Sequence, residues 1–260
     1  MNAIAILPMY DWPQLRHATD ALWSVLRDAL RLAGRAAPDR LDRSIEPERA
    51  WKSPALALGQ TCGLPYVSVL RDRVALIGTP DYGVPGCAPG EYRSVIVARA
   101  DDRRETLADF QQARFAYNSL SSQSGYASMA HEAAAIGNGE ACFSQSLPSG
   151  SHANSIRLVA TGGADIAAID YVTWRIALTH QPEARALRQV ALSAPVPGLP
   201  LIAAAGTGFA GLQGAVEEVV NNLDPAIAGP LGITGFRKFA PSDYDVIAAR
   251  LAAAHAGRVI

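Results

Sequence analysis

The chain alternates between short apolar runs and longer stretches whose apolar residues recur at helical spacing. Residues 3–7 are an apolar run stopped by Pro8, which predicts a buried first strand. Leu15, Ala18, Leu22, Val25, Ala29 and Leu32 follow at helical spacing. Asp11 and Gln14 stand as a capping box before that helix, Pro13 sits in its first turn, and Gly34 closes it. A polar stretch, 35–53, leaves room for one short strand near Ser44-Ile45. Further strands are expected at 55–61, 74–78, 91–99, 114–117, 142–144, 165–169, 189–194 and 199–205. Helices are expected at 64–70, 101–113, 126–136, 150–159, from Asp170 onward, at 209–222 and at 241–256. Four glycines and three prolines make 78–90 a run of turns.

Strand and helix alternate throughout, so the expected class is α/β with two mostly parallel sheets. Two segments read as crossings between lobes: the Gly/Pro-rich approach to strand 91–99, and Pro195-Val196-Pro197-Gly198. They predict a lobe made of 1–95 and 198–260, an inserted lobe of 96–197, a two-strand hinge, and a ligand cleft between the lobes.

Composition narrows the function. The 260 residues are 49% hydrophobic and 18% charged, with a net charge of -1, which is a globular balance. No basic field favours nucleic acid, and no apolar run reaches membrane-spanning length. The first residues lack the basic start and length of a secretory leader. A cytoplasmic location is therefore expected for the chain as written, and a periplasmic one if a leader has been removed. Three cysteines without a CxxC pair fit a reducing compartment.

An anion would have to be held locally. The loop 118–125 lies between a strand and a helix, where unpaired N–H groups and the positive end of the dipole gather. Ser122 and Ser124 add hydroxyl donors and Gly125 allows close backbone approach, which suits a tetrahedral oxyanion. An ordinary serine N-cap is the competing reading. Gly150-Ser151-His152 begins a second helix, where His152 is either an anion donor or a surface histidine. Asp170, at a strand end, is either a helix cap or an acceptor that prefers protonatable phosphorus oxyanions over sulfate. Tyr10 and Tyr92 are candidates to line the cleft, one at a strand end and one by a crossing. Gly206-Thr207-Gly208-Phe209-Ala210-Gly211 matches GxGxxG, but the strand ending in an acid that should follow its helix is missing. No GxSxG, P-loop or HExxH occurs, and the five histidines lack metal-ligand spacing.

Several segments, taken in order, resemble the phosphate/phosphite/phosphonate-binding proteins of ABC transporters. These are Leu7-Pro8-Met9-Tyr10, Gln60-Thr61-Cys62-Gly63-Leu64-Pro65, Tyr92-Arg93-Ser94, Ser122-Gln123-Ser124-Gly125, Gly150-Ser151-His152, 164–170, Gly232-Ile233-Thr234-Gly235-Phe236 and Asp243-Tyr244-Asp245. The resemblance covers most of the chain and implies the two-lobed type II periplasmic-binding-protein fold. It implies ligand contacts from Ser122, Gln123, Ser124, His152 and Tyr10, with Tyr92 as a hinge-side tyrosine. Gln123 stands where that family has threonine, exchanging a hydroxyl for an amide.

The expected function is a solute-binding protein for a small phosphorus oxyanion or phosphonate. No catalytic residue, metal or cofactor is expected, and an ABC transporter permease is the expected partner class. A cytoplasmic enzyme or sensor on the same fold, binding a small organic substrate, is the alternative.

Overall fold

A computed structural model describes residues 3–137, 141–206 and 209–256. Its first half forms β1 (Ile4–Ile6), α1 (Arg16–Leu32), α2 (Pro47–Trp51), β2 (Leu56–Gln60), α3 (Gly63–Pro65), β3 (Val74–Asp81), β4 (Glu91–Tyr92), β5 (Ser94–Arg99) and β6 (Arg114–Tyr117). A π-helical turn, Gln123–Ala127, then runs into α4 (Ser128–Ala134). The rest forms β7 (Gln145–Pro148), α5 (His152–Ala160), β8 (Ile166–Asp170), α6 (Tyr171–His180), β9 (Leu187–Leu192) and β10 (Val196–Pro197). It ends with β11 (Leu201–Ala204), α7 (Phe209–Asn221), α8 (Pro225–Leu231), β12 (Gly235–Arg237) and α9 (Asp245–Ala256).

The chain divides into two compact units. Unit 1 holds the residues up to Glu91 and Pro197–Tyr244; unit 2 holds Tyr92–Val196 and the segment from Asp245. β4 and β10, at two of the crossings, pair in a small sheet of their own. The expected first lobe includes all of 198–260, whereas α9 packs on α4 in unit 2. Its Leu251 joins the apolar core there, and Arg250 Nη1 donates to the Pro195 carbonyl at 2.9 Å.

Both sheets are mixed rather than mostly parallel. In unit 1 the order is β1-β2-β11-β3-β12, with β1 parallel to β2 but β11 antiparallel to β2 and β3, and β12 antiparallel to β3. In unit 2 the order is β7-β6-β8-β5-β9, with β7, β6 and β8 parallel and β5 antiparallel to β8 and β9. The reason is connectivity. β5 and β11 are entered from the crossings, without a packed helix to return the chain to the same sheet end, so they run against their neighbours.

α1 seals unit 1 with Leu22, Trp23, Leu26 and Leu30; the expected stripe holds at Ala18 and Leu22, but Val25 and Leu32 are exposed, because the buried face runs through Trp23, Leu26 and Leu30 instead. Unit 2 is built around Phe115, which stacks on Phe143 at 5.0 Å between ring centroids and tilts against Tyr117 at 5.9 Å. Three local expectations change. Ser44-Ile45 is not a strand, because Asp42 Oδ1 accepts from Ser44 N, Ser44 Oγ and Ile45 N and holds a turn. Asp11 does not cap α1; its carboxylate is taken by Arg43 at 2.6 and 3.1 Å. The helix expected over 101–113 shrinks to one 3-10 turn, Leu107–Phe110, closed by a Thr106/Asp109 capping box.

Candidate functional site

β7, β6 and β8 are adjacent and parallel, so their C-terminal ends lie side by side at one end of the unit 2 sheet. Each leads into a helix. The start of β6 is anchored by Arg114, whose guanidinium meets Asp165 at 2.8 and 3.1 Å and the Gly162 and Gly163 carbonyls. That grip aligns β6 with β8 and brings three helix beginnings together, each with N–H groups lacking intrahelical partners.

Each beginning is capped by its own side chain. Ser122 Oγ accepts from Gly125 N at 2.9 Å, Ser151 Oγ from Asn154 N at 3.1 Å, and Asp170 Oδ1 from Thr173 N at 2.9 Å. The capping reading of Ser122 and Asp170 is therefore realised. A serine cap keeps its O–H to donate elsewhere; a carboxylate cap has none to give. The turn after Ser122 is π-helical, with Ala127 N donating to the Ser122 carbonyl at 3.0 Å. Such turns concentrate at functional sites.

Ser124 and His152 meet: Ser124 Oγ lies 2.8 Å from His152 Nε2. The Ser124 main chain is held from two sides, its carbonyl accepting from Ser94 Oγ at 2.9 Å and Ser128 Oγ at 2.5 Å. Burial pushes the His152 imidazole down to about 4, against a smaller opposing pull from the Ala168 backbone. The ring is neutral at pH 7 and carries one N–H. Its Nδ1 is shielded and makes no hydrogen bond of normal geometry. When Nε2 accepts from Ser124, the serine proton is spent. When Nε2 bears the proton, the hydroxyl is released to donate outward.

The expected residues therefore divide. Ser122, Gln123, Ser124, His152 and Asp170 are gathered at one end of unit 2, where Gln123 is buried in the π-helical turn and Asp170 pairs in register with Ser94. Tyr92 is buried in β4 at the edge of that unit, its hydroxyl shielded from solvent. Tyr10 belongs to unit 1. It is 6% exposed and stands edge-on to Tyr82, whose hydroxyl accepts from Gln60 Nε2 at 3.1 Å.

The sequence assigns no site role to Ser94, Asn118 or Ser149. Ser149 N and Oγ both donate to the Tyr117 carbonyl, at 2.8 and 3.0 Å, tying the α5 approach to β6. Ser94 stands in the Tyr92-Arg93-Ser94 segment and Asn118 opens the loop 118–125, but only strand register shows what they touch. In the GxGxxG stretch, Thr207 and Gly208 lie outside the described residues. A Cβ on Gly206 or Gly211 would meet nothing within 4 Å, and β11 is antiparallel to its neighbours, so no dinucleotide-binding βαβ unit forms. Among the described residues no group of three or more His, Cys, Asp or Glu could hold a metal ion, and no helix is long and apolar enough to cross a membrane.

Comparison with known proteins follows the same line. A family model described as the periplasmic substrate-binding protein of the phosphonate ABC transporter matches residues 4–244. No curated protein sequence matches. PhnD1 from Prochlorococcus marinus, solved with methylphosphonate, is 19% identical, with a TM-score of 0.74 over 96% of this chain and 97% of that one. The binding protein of an ABC phosphonate transporter from Pseudomonas aeruginosa is 17% identical, with a TM-score of 0.73 over 98% and 87%. A Xanthomonas citri protein solved with ATP is 19% identical, with a TM-score of 0.69 over 98% of each chain. These structures share the fold of this chain.

Proposed function

For a chain that belongs to the periplasmic substrate-binding protein family of phosphonate ABC transporters, we propose that the ligand is a small phosphorus oxyanion or phosphonate, bound without chemical change. The observation that carries this reading is the Ser124–His152 pair at the meeting of three helix beginnings. Serine hydroxyls and first-turn N–H groups bind a tetrahedral oxyanion through hydrogen bonds, without a full cation. Gln123 offers an amide where the family has a threonine hydroxyl. Asp170 adds a carboxylate at the same end, which favours a ligand that keeps one proton over fully ionised sulfate. Tyr92 and Tyr10 are carried in the proposed set through their phenol groups, and Tyr→Phe substitution tests each.

Absence of turnover also suits the pair. A histidine titrating near 4 is a weak base at neutral pH, and its Nδ1 lacks the carboxylate that orients a catalytic imidazole. Delivery to an ABC transporter permease, from a periplasmic location, is the role the family membership favours.

The test is calorimetry and thermal shift on ligand-free protein with methylphosphonate, 2-aminoethylphosphonate, phosphite, phosphate and sulfate. Saturable stabilisation by a phosphorus ligand and not by sulfate is expected. No response to any phosphorus ligand would overturn the proposal, and so would conversion of one of them.

A further inference from the structure

Asn118 directly follows β6, and its carbonyl accepts from Gly150 N at 3.1 Å, tying the loop before α4 to the approach to α5. Its side-chain Oδ1 is shielded from solvent and has no hydrogen-bond partner among the described residues. A buried acceptor without a donor is costly and calls for a physical reason. The space beside it is outlined at Gly125. A Cβ on that residue would stand 1.8 Å from Asn118 Oδ1 and 3.2 Å from His152 Cε1. The amide oxygen and the Cε1 edge of the ring thus face the same small space, which exists because residue 125 has no side chain.

His152 Nε2, on the neighbouring corner of the ring, meets Ser124 Oγ at 2.8 Å. A half-turn of an imidazole about its Cβ–Cγ bond exchanges Cε1 with Nε2 and leaves the occupied volume almost unchanged. The turned ring therefore presents Nε2 to the Asn118 side and a carbon to Ser124.

We propose that Asn118 is a positioning residue of the oxyanion site: its Oδ1 is the second partner of the His152 ring, and it takes the Nε2–H bond when Ser124 gives its hydroxyl proton to the ligand. The inference rests on the oxyanion-binding reading above. With the ring proton on Nδ1, the Ser124 O–H donates to Nε2, so only lone pairs of that oxygen remain for an incoming anion. On that tautomer, turning the hydroxyl to the ligand strands a bare Nε2. Rotation of the ring, with its single proton on Nε2, satisfies that nitrogen and the orphaned Asn118 oxygen together. The Nδ1 proton is given up to water as one is gained at Nε2, so no net proton is taken up, and Gly125 supplies the room.

The experiment is a double-mutant cycle on methylphosphonate affinity with Asn118→Ala, Ser124→Ala and both, combined with nitrogen-15 NMR of the His152 ring. Asn118→Ala should weaken binding about 3- to 10-fold, the range of one neutral hydrogen bond. That cost should vanish in the Ser124→Ala background, since the two residues act through one ring. In wild-type protein the ligand should move the ring proton to Nε2, and in Asn118→Ala it should not. Asn118→Asp keeps an oxygen in place and should restore the ring response, which also covers a failure of the alanine variant to fold. Unchanged affinity, strict additivity, or identical ring spectra in wild type and Asn118→Ala would each overturn the inference. If wild-type protein binds neither methylphosphonate, phosphite nor phosphate, the oxyanion reading is lost. Ligand-free ring spectra then decide the Asn118 contact: a tautomer shift in Asn118→Asp supports it, and an unchanged spectrum removes it.

Discussion

Ser124 Oγ and His152 Nε2 stand 2.8 Å apart although 28 residues separate them in the chain. One residue lies in the turn after β6 and the other opens the helix after β7. Their contact exists because β6 and β7 run parallel in adjacent positions from Arg114 opposite Gln145 to Tyr117 opposite Pro148.

Replacing Ser124 with alanine should weaken phosphorus-ligand binding by about 1–3 kcal/mol, the value of a hydrogen bond to a charged partner. The main-chain bonds from Ser94 and Ser128 survive the change, so the melting temperature should hold nearly constant. Titration calorimetry reads the first quantity and calorimetric melting the second. Wild-type affinity in the variant would remove Ser124 from the site.

His152 makes stability depend on pH in a defined window. Its folded-state pKa is lowered to about 4 from the usual 6.5, chiefly by burial. Between those values the unfolded chain binds the extra proton, so stability is full above about 6.5 and declines as pH falls toward 4. Melting curves from pH 7.5 to 4.5 should show this slope, and His152→Gln should flatten it. Parallel slopes in the two proteins would contradict the neutral ring.

Gly125→Ala should both destabilise the protein and abolish oxyanion binding. The added Cβ would sit 1.8 Å from Asn118 Oδ1 and press on His152 Cε1 at 3.2 Å. Overpacking of this kind costs about 1–3 kcal/mol. Adding Asn118→Ala removes the nearer obstacle and should recover most of the lost melting temperature. No recovery in the double variant would mean that the clash is not the cause.

Tyr244 tests unit 1 independently. Its buried hydroxyl lies 2.7 Å from Thr79 Oγ1 and donates to the Gly198 carbonyl at 3.0 Å, under an edge-on contact with Tyr66. Tyr244→Phe leaves both partners buried and unsatisfied, which should cost about 1–3 kcal/mol. Denaturant unfolding measures it, and a change below about 0.5 kcal/mol, the range of neutral surface substitutions, would rule out the network.

Local chemistry was read well from the sequence. β6 falls over Arg114–Tyr117 as expected, α1 closes at Gly34 with φ at +72°, and Asp170 caps the helix it precedes. Each depends on neighbours within a few residues: a run of apolar side chains, a glycine tolerating positive φ, a carboxylate reaching the third N–H onward. The helix expected over 101–113 fails for the complementary reason. Thr106 and Asp109 close a capping box around a single turn, and Phe110 is drawn at once into the core with Arg104 over its ring at 4.2 Å.

What the sequence alone determined is thus the α/β class, the positions of most strands and helices, and the residues that open three helices: Ser122, Ser151-His152 and Asp170. Tertiary structure decided strand direction, the joining of α9 to unit 2 and the residues surrounding Ser124. Ser94 reaches the Ser124 carbonyl only because β5 lies antiparallel to β8 with Ser94 opposite Asp170. Asn118 and Gly125 become neighbours of His152 only once β6 and β7 are paired. Periodicity and capping are set by short-range backbone geometry and are written locally. Pairing direction and register are chosen by the burial of whole faces at once, so no single stretch of the chain records them.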